Sequence, residues 1–209
     1  EGKLYLGKPG ETRNQQLAGL ASTGLGGSVV GTSVNNVTLT LALTGGQSYV
    51  FGGVLGGPGS NENKLSLTLS GSGKLTLSGN NTHEGGTQVG SGTILVVQHT
   101  NALGAVSSGT SVANDGQLQV DGSLTMAAEP LSLAGDYTDG SGALRVISGN
   151  STGFGNIDLT AIATINCEAG TSLGLDGKVG GGSGGIIKTG SGTLELLGTG
   201  TDGYSKATT

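Results

Sequence analysis

Leu67-Thr-Leu-Ser-Gly-Ser-Gly-Lys-Leu-Thr-Leu-Ser-Gly-Asn-Asn-Thr-His-Glu-Gly-Gly-Thr-Gln-Val-Gly-Ser-Gly-Thr-Ile-Leu-Val96 is the stretch that decides the fold of this 209-residue chain. It contains short runs in which apolar and polar residues alternate, divided by glycine-rich breaks. Successive side chains of an extended strand point to opposite sides, so this alternation gives a strand with one buried side. Leu75 and Leu77 then face inward, and Lys74, Thr76 and Ser78 face out. No window of the chain holds a 3.6-residue period over three turns, so almost no helix is expected.

The phrase Gly-x-Leu-x-Leu, or a close variant, returns along the chain. It is found at 2–6, 73–77, 92–96, 116–120, 142–146 and 192–196, with a looser copy at 170–175. From the central copy onward, its first apolar residue falls at 75, 94, 118, 144, 173 and 194. Short strands recurring at steps of roughly 20 to 30 residues fit a solenoid, in which each coil buries its inward residues on the next. Leu65-Ser-Leu-Thr-Leu69 and Leu131-Ser-Leu133 alternate in the same way. Gly-Ser-Gly at 71–73, 90–92 and 190–192 and Asp-Gly at 115, 121, 139, 176 and 202 read as corners, because glycine reaches positive φ without a Cβ clash. An antiparallel β-sandwich also carries closely spaced strands and Asp-Gly turns. The long composite phrase favours the solenoid.

Composition agrees. The chain has 45 Gly, 3 Pro and 3% aromatic residues, with 33% hydrophobic residues and a net charge of −5. Glycine is about three times its usual share of roughly 7%, yet collagen would need it at every third position with abundant proline. Disorder would bring fewer aliphatic residues and more charge. The mild acidity argues against nucleic acid and anionic membrane as partners. No stretch approaches the ~18 apolar residues of a membrane helix, and no signal-peptide pattern opens the chain. The single Cys167 cannot form an internal disulfide and reads as a small buried hydrophobe.

The central phrase resembles the passenger-associated transport repeat of autotransporter proteins. The resemblance is carried by Gly71-Ser-Gly-x-Leu-x-Leu-Ser-Gly-Asn-Asn-Thr82, then Gly85-Gly-Thr-x-Val89, then Gly92-Thr93, with His83 where the family usually has Tyr. Asn101-Ala-Leu-Gly104 and Gly116-Gln-Leu-Gln-Val120 continue it, and Gln47–Gly57 resembles the strand that commonly precedes it. A second copy starts at Ile187-Lys-Thr-Gly-Ser-Gly-Thr-Leu-Glu-Leu196 and runs to Thr209, with Lys206 and Ala207 in place of the usual Gly pair. The resemblance implies a right-handed parallel β-helix, exported across the outer membrane of a Gram-negative-type bacterium and displayed or released. It implies no catalytic residues and no cofactor. Residues 1–209 are expected to form a single solenoid segment of about nine coils, part of a longer passenger or fibre.

Catalytic and ligand chemistry finds little footing. Glycan hydrolysis needs carboxylates converging on one groove, and Asp136 and Asp139 are the closest interesting pair, in a segment that reads as turn. His83 and His99 are the only histidines. No serine lies in a nucleophile motif, and zinc would need about four ligands. His83 is expected at an outward aromatic position. Gly180-Gly-Gly-Ser-Gly-Gly185 lacks the aspartate of a calcium-binding β-roll and reads as a flexible loop. The Asn-x-Ser/Thr triplets at Asn36, Asn80 and Asn150 are no more than chance supplies in so Ser/Thr-rich a chain. Tyr5, Tyr49, Phe51, Tyr137, Phe154 and Tyr204 are spread along the chain and read as packing at corners. The expectation is a non-enzyme with a structural role as stalk, fibre or matrix component. The alternatives are an adhesin for glycan or host protein and a remnant of a glycan-cleaving β-helix enzyme.

The two ends suggest a partner. Gly203-Tyr-Ser-Lys-Ala-Thr-Thr209 stops partway through a repeat, and Glu1-Gly-Lys-Leu-Tyr-Leu6 resembles Ser91-Gly-Thr-Ile-Leu-Val96, its continuation. A unit of a tandem array, or separate chains stacking head to tail, would give this pattern, as would an arbitrary cut within a long passenger. Stacking would pack Leu4 and Leu6 close to residues 194–209 of the adjoining unit, in an open fibre.

Overall fold

The computed structural model describes residues 2–22, 24, 26–182 and 184–199. Among them are twenty strands and no helix, and every strand pairing is parallel. The strands stack into a β-solenoid of about 8 turns. The described residues complete eight coils, and β20 (Thr193–Leu196) begins the ninth that the sequence predicts. At ~4.8 Å per rung the stack is about 40 Å long.

Each coil has three sides. The first face is the ladder β2 (Gln15–Leu17), β4 (Val37–Leu43), β7 (Leu65–Gly71), β9 (Thr87–Val89), β11 (Thr110–Val112), β13 (Leu131–Gly135), β16 (Ile157–Cys167) and β18 (Val179–Gly180). The second is β5 (Ser48–Phe51), β8 (Lys74–Leu77), β10 (Ile94–Val97), β12 (Gln117–Asp121), β14 (Leu144–Ser148), the second half of β16 and β19 (Ile186–Thr189). The third is broken in the middle. It holds β1 (Lys3–Tyr5), β3 (Ser28–Val30) and β6 (Val54–Leu55) at one end and β15 (Asn150–Gly153), β17 (Ser172–Leu175) and β20 at the other.

The inward rows are apolar ladders. On the first face Leu41, Leu69, Val89, Val112, Leu133 and Leu159 stack in register. On the second, Leu77, Val97, Val120, Val146 and Cys167 do the same. All are essentially inaccessible to water, each contributing roughly 1.5–3 kcal/mol of burial where the side chain is Leu or Val. The free Cys167 is buried as a small hydrophobe, and that burial pushes its thiol pKa up.

Three sequence expectations about register change. The apolar phrase is not confined to one ladder: its copies at 73–77, 92–96, 116–120 and 142–146 build the second face, but those at 2–6, 170–175 and 192–196 build the third. The second-face ladder passes instead from Leu144 to Ile165, inside β16. Leu75 stacks on Leu95 rather than Ile94, so Ile94 lies on the outer side. The glycine run 180–185 is not simply a loop, because Val179 and Gly180 pair with Ile157 and Asp158; Ser183 lies outside the described residues.

The corners do not all use glycine alike. Gly71, Gly92, Gly140 and Gly190 take positive φ, but in Asp115-Gly116 the aspartate is left-handed, with φ 64°. Its carboxylate accepts from Ser91 Oγ in the preceding coil and from the Thr138 hydroxyl in the following one. The head-to-tail expectation for residues 203–209 lies outside the described residues. Of its other residues, Leu4 is 45% exposed, whereas Leu6 is already buried in its own chain.

Candidate functional site

The long motif builds the middle of the third face, where no strand forms. Asn81 replaces the missing ladder with its side chain. Its Oδ1 accepts from Leu55 N–H at 2.9 Å in the coil on one side, and its Nδ2 donates to the Ala102 carbonyl at 2.6 Å on the other. Gly79 lies against this corner because a Cβ there would strike the Gly53 carbonyl oxygen. Ser78-Gly-Asn-Asn-Thr82 therefore encodes one close backbone approach followed by one side-chain bridge.

His83 is inside the solenoid and fully buried, not at an outward position. Strict alternation between sides holds along a strand but lapses at a corner, and His83 lies on the corner between the third and first faces. Its Nε2 lies 3.1 Å from Thr87 Oγ1. Burial holds its pKa down to about 4, so the imidazole is neutral near pH 7. Thr87 pairs in register with Thr110, and the two interrupt the inward apolar row between Leu67 and Leu131. Thr110 Oγ1 donates to Glu129 Oε1 at 2.8 Å. Glu129 is 2% exposed, and its Oε2 has no partner among the described residues. Burial pushes this carboxyl up to about 7. The result is an internal polar column of His83, Thr87, Thr110 and Glu129. Sequence reading missed Glu129; its only signal is a charged residue between Ala128 and the apolar alternation that starts at Leu131.

Asp136 and Asp139 do turn chemistry. Asp136 Oδ1 accepts from the Tyr137 and Gly142 N–H groups, and its Oδ2 from Thr164 Oγ1. Asp139 Oδ1 accepts from Ser141 N–H, and hydrogen bonding to Ser141 lowers its pKa. No group of three or more His, Cys, Asp or Glu among the described residues is placed to hold a metal ion. His99 Nδ1 accepts from the Asn101 N–H, a local turn contact. Phe51 and Phe154 are buried, Tyr49 packs on the core, and Tyr5 is exposed at the first coil. Tyr204 lies outside the described residues. Asn36, Asn80 and Asn150 are exposed.

A concavity of about 520 Å³ crosses the outer side of the first face from Gly86 to Gly181. Its single lining carboxylate is Asp158 and its single lining ammonium is Lys178. It has no aromatic lining residue. Paired-carboxylate glycoside hydrolysis therefore has only one of its two groups there.

The passenger-associated-transport-repeat family matches residues 67–96 and 186–209. The chain carries passenger-associated transport repeats. The first match spans from β7 through the Asn81 corner into β10, so one passenger repeat is a full coil plus the passage from the first to the second face of the next. The second runs from β19 into β20 and on past the described residues. The two passenger repeats cover well under half of the chain, and the coils between them share their architecture. No curated protein and no solved structure matches the chain. Among the described residues, no helix is long and apolar enough to cross a membrane.

Proposed function

We propose that this chain is a non-catalytic structural element of an autotransporter passenger, held outside the cell as a stalk, fibre or matrix component. The observation that carries the reading is the continuous parallel stack of the first and second faces: each coil rests its apolar rows on its neighbours, which supports a rod. The passenger repeats support an outer-membrane surface or secreted location. Coil-on-coil assembly with further coils, in a longer passenger or between chains, extends the same reading. Leu4 and Leu196 occupy inward rows yet are 45% and 39% exposed, apolar surface that another coil would cover.

Electron microscopy and ultracentrifugation test the two parts separately. Rod-shaped particles are expected, with length growing in units of the solenoid axis if coils join end to end. Compact globular particles would remove the structural reading. A stable rod-shaped monomer at micromolar concentration would remove the end-to-end assembly alone.

A further inference from the structure

The first face carries a regular outer row. Starting from Gln16, Thr40 and Thr68 it continues in register through Gln88, Ser111, Ser132 and Asp158. One hydrogen-bonding side chain is thus offered per coil. From Gln88 onward this row forms the floor of the 520 Å³ groove, with Pro130 and Lys178 among its lining residues. The side chains of Gln88, Ser111, Ser132 and Asp158 make no hydrogen bond to any described residue. The equivalent row of the second face differs: it runs Val50, Thr76, Val96, Gln119, Arg145, Asn166 and Thr189, so valines interrupt it, and Arg145 and Asn166 are already held by Glu168 and Thr189.

We propose that this groove binds an uncharged polysaccharide chain laid along the solenoid axis. Amide and hydroxyl groups both donate and accept, which suits a ligand whose surface is itself hydroxyl. The small serines of the floor leave room for rings. Coils rise by about 4.8 Å, close to the advance of one sugar residue in an extended chain, so successive sugars meet equivalent floor positions. An extended peptide fits less well, because its same-side side chains recur every ~6.6 Å and fall out of step with the coils. Asp158 and Lys178 bring opposite charges, so the groove has no net charge to recruit a polyanion. Without aromatic stacking each sugar is held weakly, and retention comes from repetition along the chain. This inference rests on the groove and the structural reading on the stack, so each can fail without the other.

Affinity electrophoresis of the full chain in native gels is the test, with hydroxyethyl cellulose, dextran or mannan cast into the gel. Alginate serves as the polyanion and gelatin as the polypeptide. Retardation by at least one neutral polysaccharide is expected. Ser111→Tyr and Ser132→Tyr, which fill the groove from outward positions, should weaken it at least about five-fold. Gln88→Ala, which adds no bulk, should weaken it in the same direction. Thr40→Tyr, on the same row but outside the groove, should leave it unchanged. Circular dichroism confirms that each variant keeps its strands. The proposal is overturned if no neutral polysaccharide retards the chain, or if retardation survives both tyrosine substitutions and Gln88→Ala. It is equally overturned if only alginate or only gelatin retards the chain.

Discussion

Replacing Glu129 with Gln should change how the stability of this solenoid depends on pH. In the folded chain burial raises the Glu129 carboxyl from its ordinary 4.5 to about 7. Below about pH 4.5 the carboxyl is protonated in both folded and unfolded chains, and its full contribution is present. As pH rises, the unfolded chain ionises first, and stability is lost until the folded carboxyl also ionises near pH 7. A difference of that size corresponds to about 3 kcal/mol lost across the window. Glutamine has the same shape, cannot ionise, and still offers an amide oxygen to Thr110 Oγ1. The variant should therefore match the wild type near pH 4 and exceed it by up to about 3 kcal/mol near pH 8. Urea unfolding followed by circular dichroism at several pH values measures this. His83, in the same column, titrates in the opposite sense: its neutral form stabilises the fold, and that contribution is lost as pH falls from about 6.5 towards 4. It acts on both proteins, so the difference between them isolates Glu129. A constant difference from pH 4 to pH 8 would refute the argument.

Other consequences follow from the same coils. Asn81→Ala leaves the Leu55 N–H and the Ala102 carbonyl without their partner and should cost about 2–4 kcal/mol, read as a lowered urea midpoint. Leu118→Asp places a charge in a fully buried ladder and should cost several kcal/mol, enough to diminish the strand signal in circular dichroism at ambient temperature. Cys167 should react with a thiol reagent only after denaturation, because the folded thiol is inaccessible and its burial disfavours the thiolate; rapid labelling of the native chain would contradict its position.

The strands were legible because alternation is a direct physical signature of a half-buried extended chain. Leu65, Leu67 and Leu69, and Leu75 and Leu77, point inward as that rule requires. What the alternation cannot encode is the side of the coil on which a phrase lies. Leu173 and Leu194 share a phrase with Leu75 but belong to the third face, because the second-face positions before them are taken by the second half of β16 and by β19. The same limit explains Ile94, where four apolar residues in a row leave the phase of the strand undetermined until Leu95 stacks on Leu75. His83 and Glu129 were illegible for another reason. Both lie at corners, where the direction of a side chain is set by long-range packing. The groove was hidden too, since its floor comes from serines and glutamine that look like ordinary outward residues until the register aligns them.

β16 rounds its corner as one continuous strand of 11 residues, where other coils interrupt their chain with a turn. Its first half pairs with β13 and its second half with β14. In a stack whose units touch only their neighbours, loss of structure advances unit by unit. At the other coils one wall can detach while the next stays paired, since a pliant turn separates them. At β16 the two walls share an uninterrupted backbone, so tension on one is transmitted to the other. Pulled from its C-terminal end, the rod should unravel readily to this coil and then pause, giving it a mechanical brake late in its length.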